Sequence, residues 1–142
     1  MQFLNKFQYK TLYWAWGILY ALTGVLGIAF PQVENGAGLV LMRLLTVAFF
    51  LPPWMILLKA RFSGEKLHVS LIRNLSIVWL ALSMVFFCAA IVSVGSTQAM
   101  GDTIHMVMSL LCAPLVCSGY YVLPMFLWAT LLVYAVTPEK KA

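Results

Sequence analysis

Asp102, His105, Ser109 and Cys112 follow one another at steps of three, four and three residues, and Gly119 lies two turns further on. Helical residues at such steps share one face, so the spacing predicts a polar and small-residue stripe along an otherwise apolar helix. Carboxylate beside imidazole is the pairing that proton relays and acid/base steps use, and Asp102 with His105 would supply it. The same stripe has a plainer use, since hydroxyls and thiols also hydrogen-bond between helices packed in lipid.

Arg43 is the one charge inside a long apolar run. An arginine at the centre of a bilayer costs about 2.5–3.5 kcal/mol on insertion scales, so such a residue faces a partner or water. Near a span end it can instead extend to the headgroups. Glu34, Asp102 or the acidic group of a lipid or substrate are its expected partners. Arg43, Asp102, His105, Ser109 and Cys112 thus form the candidate ligand-binding set, in a shallow pocket near the outer leaflet.

Met100, His105, Met106, Met108, Cys112 and Cys117 are donors that would suit Cu(I). Cys112 and Cys117, five residues apart, point to different helical faces, so neither a metal nor another cofactor is assigned. The three cysteines (Cys88, Cys112 and Cys117) lie in apolar segments without a CxxC, which argues against a zinc site or a disulfide scaffold. No HExxH, GxSxG or phosphate-binding glycine loop occurs.

The elements that must position these residues follow from composition. Of 142 residues, 63% are hydrophobic and 9% charged, against about 25% charged in soluble domains. A soluble domain of this size cannot hide so much apolar surface. Lipid can, and it admits only helices here, because each backbone amide must be satisfied within its own segment. The expected fold is therefore an all-α integral membrane protein, a single domain forming a four-span transmembrane helical bundle. About 20 apolar residues cross a bilayer, and the runs fall at Thr11–Phe30, Gly36–Leu58, Leu71–Gly95 and Ile104–Val136. The fourth run is far longer than a crossing needs. Pro114, Gly119 and Pro124 predict a kink, with a helix over Asp102–Val116, a break near Cys117-Ser118-Gly119 and a second helix to Val136. Pro52 and Pro53 predict a bend in the second span.

Orientation follows from the basic residues. Lys6, Lys10, Lys59, Arg61, Lys66, Arg73, Lys140 and Lys141 fall on one side of the four runs, while Pro31–Asn35 and Ser96–Thr103 carry none. The positive-inside rule makes that side cytoplasmic, with both termini there and the chain in the cell (inner or plasma) membrane. His68 and His105 then lie on opposite sides and cannot share a haem. Tyr13, Trp14, Trp16, Trp54, Trp79, Trp128 and Tyr134 gather toward the cytoplasmic half, as an interfacial belt would. Because the basic residues sit between apolar runs, the net charge of +5 implies no nucleic acid.

Gly17, Ala21 and Gly24 share one face of the first span. Small residues let backbones approach closely, so this face is expected to pack against another span, or to self-associate. Four spans seldom enclose a pathway alone, so the lipid bilayer, a homo-oligomer or a larger membrane complex is the expected partner. Three function classes follow: a small-solute or ion transporter or accessory subunit acting by binding; a membrane enzyme on a lipid or isoprenoid head group at the extracytoplasmic face; or an immunity or regulatory interaction protein.

Overall fold

A computed structural model describes residues 8–30, 36–93, 98–117 and 122–137, with residues 93, 98–100, 109, 115 and 116 described by their backbone only. These residues form α1 (Tyr9–Ala29), α2 (Ala37–Ser63), α3 (Lys66–Ser93), α4 (Gln98–Leu111), α5 (Ala113–Cys117) and α6 (Val122–Val136). The described chain is all-helical. Three helices, α1, α2 and α3, are long and apolar enough to cross a membrane, and α6 is apolar but shorter, at 15 residues.

α2 and α3 run past the apolar stretches that announce them. Lys59, Arg61 and Lys66 are good helix formers, and the helix stops only at Gly64, whose φ of +75° is the left-handed conformation glycine adopts without strain. Its N–H returns to the Arg61 and Ala60 carbonyls, and the Glu65 N–H donates to Ala60 O at 2.9 Å. This turn lays α3 antiparallel against α2.

The fourth run differs from expectation. Its first helix begins at Gln98 and ends at Leu111, Cys112 stands outside helical geometry, and α5 follows at once. Pro114 is the reason: it has no N–H to give the Leu110 carbonyl, and its ring crowds that turn. Pro114 and Pro124 therefore occupy the first turns of α5 and α6, where a missing N–H costs nothing. Ser118 and Gly119, where the break was expected, lie outside the described residues.

α1 packs chiefly on α2 and α5, and α3 packs chiefly on α6. Where α1, α2, α3 and α6 meet, their rings interlock. Phe50 and Trp128 lie 5.0 Å apart edge to face, Phe49 and Phe50 5.1 Å, and Trp79 stacks on Trp128 at 6.3 Å. The tryptophans read as an interfacial belt accordingly divide. Trp128 is a core residue, 3% exposed, whereas Trp14 is 67% exposed.

The surface is the reverse of a soluble protein's. Val25, Leu41, Val85 and Val92 are exposed, while the hydroxyls of Thr23, Thr46, Ser76 and Ser83 are buried. That distribution suits a lipid solvent, which gains nothing from apolar contact between helices and rewards small, polar packing faces. In α1 the buried small residues are Thr23 and Gly27. Gly17 and Ala21 are exposed and Gly24 is half-buried, and a methyl group added at Gly17 would meet nothing within 4 Å, so Gly17 and Ala21 do not serve packing within the described chain.

Candidate functional site

Polar side chains collect at two places. The first is the predicted stripe. On α4, Asp102 is exposed and His105 partly so, while Cys112 beyond its end is buried. Met108 and Cys112 pack among Trp79, Leu82 and Phe86, so this part of the fourth run leans on α3. Cys112 also borders an internal void of about 10 Å³ shared with Tyr20, Ser83 and Trp128, which is room for about one water. The Ser83 hydroxyl, on the wall of this void, donates to Trp79 O at 2.7 Å.

Arg43 lies on the exposed side of α2 and lines a cleft of about 370 Å³ with Val122, Leu123 and Phe126 of α6. α4 packs on α1, α3 and α5, whereas α2 reaches this region chiefly through α5. The Cys117 thiol donates there to Met42 O at 3.8 Å, beside the Thr46 hydroxyl on the same carbonyl at 3.0 Å. Among the described residues, no three His, Cys, Asp or Glu side chains gather closely enough to hold a metal ion.

The interruption at Cys112 has an answer from another helix. The Leu110 carbonyl, left without its helical partner by Pro114, accepts the Tyr20 hydroxyl at 2.6 Å. The bond gives the carbonyl freed at the break a donor from α1, and so stabilises the break itself.

The second place is the opposite end, where α1 begins, α2 ends, α3 begins and α6 ends. His68 is its hub. Nδ1 lies 3.0 Å from the Tyr13 hydroxyl and Nε2 lies 3.3 Å from Glu65 Oε2. Both contacts are satisfied together when Nε2–H donates to the carboxylate and the phenol donates to Nδ1. Tyr9 stacks on the imidazole at 4.0 Å, its hydroxyl pairs with Ser63 at 3.2 Å, and Lys59 Nζ sits 4.7 Å from the Tyr9 ring centre. This carboxylate–imidazole–phenol chain could hand a proton between Glu65 and Tyr13, and it ties the start of α1 to the α2–α3 turn.

Arg61 does the same for α6. Its guanidinium donates to the Tyr134 and Thr137 carbonyls and lies 4.6 Å from the Tyr134 ring centre. Tyr134 O is the carbonyl that a residue at 138 would answer within the helix. Residue 138 is proline, whose nitrogen carries no hydrogen. Arg61 fills that place with a planar fork suited to two acceptors.

Sequence reasoning placed the candidate set on the stripe and missed Tyr13, Glu65, His68 and Arg61. The i, i+3 spacing of Glu65 and His68 at a helix start was a usable signal. Tyr13 and Tyr134, 55 and 73 residues from their partners, gave none. No protein-family model, curated protein or solved structure matches this chain.

Proposed function

We propose that the chain crosses the membrane four times, with α4–α6 completing the fourth passage through a bent segment and both termini in the cytoplasm, and that it acts by binding. It is best read as an accessory subunit, or a self-associating component, of a membrane assembly. The observation that carries this reading is the interior: the rings of Trp16, Phe49, Phe50, Trp79 and Trp128 interlock, leaving about 10 Å³ beside Cys112. The larger space that Trp16, Phe49 and Trp79 border, a cleft of about 340 Å³ with Gly17 and Leu75, opens to the side of the bundle. An interior so packed is a scaffold. A small solute or ion moving through such an assembly would pass between chains, and the exposed Gly17 and Ala21 face allows close approach of a second helix.

A second reading has its own support. Arg43 at the side of a cleft walled by Val122, Leu123 and Phe126 combines a cation with an apolar wall. That combination fits a lipid or isoprenoid head group at the extracytoplasmic face. Asp102, His105 and Cys112, on or just beyond α4, do not line this cleft and, with Ser109, would join it only through α5.

Cross-linking of the full chain in native membranes tests the first reading. The expected product is a discrete larger species, of the chain with itself or with another membrane protein; monomer alone, together with solute flux in vesicles holding single chains, would overturn it. Leu67→Cys in a cysteine-free background tests orientation. It should react with a membrane-impermeant maleimide only after the cells are opened.

A further inference from the structure

The basic end holds a cleft of about 400 Å³ that neither reading above uses. Arg61, Lys66 and Arg73 line it, with the Ser70 hydroxyl between them and Val69 and Ala135 as its apolar wall. Three cations around one cleft repel one another unless an anion joins them. Arg61 is committed in part to the end of α6. Arg73 reaches only long, exposed contacts to Ser70 at 3.5 Å and Asn74 at 3.4 Å. Glu65, the acidic side chain at this end among the described residues, is engaged by His68 and does not line the cleft.

We propose that this cleft binds a phosphate oxyanion, carried by an anionic membrane lipid. Guanidinium and ammonium groups with a hydroxyl donor are the set that recognises phosphate. Basic pockets between helices at the cytoplasmic surface bind lipid head groups in this way. The wall of Val69 and Ala135 is what a lipid needs and a free phosphate does not, since an acyl chain can continue along α3 and α6 from the bound head group. The inference takes from the previous reading only that the helices lie in a bilayer with this end at its surface.

Native mass spectrometry of the delipidated full chain, mixed with equal amounts of phosphatidylglycerol and phosphatidylcholine, tests it. One phosphatidylglycerol per chain should be retained in preference to phosphatidylcholine. The double variant Lys66→Gln/Arg73→Gln should lower that preference about tenfold. Lys10→Gln, which removes a basic residue that does not line the cleft, should leave it unchanged. Arg61 is kept intact because it holds α6. An arm with added inorganic phosphate separates the two sources of the oxyanion: displacement assigns phosphate alone, and persistence assigns the lipid. Equal retention of both lipids, or an equal loss on Lys10→Gln, would overturn the proposal. Partition of the protein into buffer without detergent would instead overturn the membrane reading. Circular dichroism of the double variant confirms that helix content is kept, and both substituted residues are exposed.

Discussion

The two ends of this bundle handle their polar groups in opposite ways. At the basic end, residues far apart in the chain close on one another. Tyr13 meets His68, Tyr9 meets Ser63, and Arg61 reaches the last turn of α6. At the other end, Asp102 stands exposed on α4, and the hydrogen bond of consequence is made by a tyrosine to a backbone carbonyl. One end is knitted by side chains and the other is shaped by what a proline removes. Periodicity finds stripes, which is why the second end attracted attention in the sequence although the first is the more constrained.

That contrast is broken most forcefully at Arg61. Arg61→Ala leaves two carbonyls at the end of α6 without donors and removes a cation from the face of Tyr134. The Tyr134 carbonyl is part-buried and the Thr137 carbonyl exposed, so at about 1–3 kcal/mol for a fully buried group left unsatisfied the expected loss is about 2 kcal/mol. Equilibrium unfolding in mild detergent would measure it. Arg61→Lys should recover less than half, because an ammonium is a single point charge and the two carbonyls need a fork. A loss below about 0.5 kcal/mol, the range of an ordinary surface substitution, would show that α6 is held by packing alone.

Tyr20→Phe probes the other end with a smaller effect. It keeps the ring beside Phe49 and Trp79, 6.1 and 5.8 Å away, and deletes only the donor to Leu110 O. The expected cost is about 1–2 kcal/mol, expressed locally as faster amide exchange in α4 and α5 than in α2 and α3. Restoring an N–H by Pro114→Ala in the Tyr20→Phe background should regain much of the loss, since the Leu110 carbonyl then has a helical partner. Failure of that rescue would mean that Pro114 matters for shape and not for the missing donor.

What could be read in the sequence was what depends on near neighbours. Apolar runs announced α1, α2 and α3, and the structure shifts their ends by only a few residues, because helix formers at Lys59, Arg61 and Lys66 extend them until Gly64 stops the chain. The three long apolar helices and the all-helical class were legible for the same reason. The fourth run was harder: Pro114 was visible, but where the helix would yield depended on a hydroxyl supplied from α1. The use of the small-residue face of α1 was left open in a related way. Spacing shows that Gly17, Ala21 and Gly24 share a side, but whether that side meets protein or lipid depends on where α5 settles. Of the candidate set, Cys112 proved buried, Arg43 borders an apolar cleft and Asp102 is exposed; sequence steps set their register but not their surroundings.

The smallest expected effect sharpens the contrast between the ends. Asp102→Asn preserves size and removes one charge from an exposed position on α4. If the stripe is there to bind something, the folded state has no reason to depend on it, and stability should change by less than about 0.5 kcal/mol. Tyr13→Phe, by contrast, takes the phenol from His68 and should cost about 1 kcal/mol. The two variants together therefore separate groups retained for structure from groups available for a ligand. A loss above 1 kcal/mol for Asp102→Asn would place the stripe with the structural polar groups, and the case for a binding role near the extracytoplasmic face would then rest on Arg43 alone.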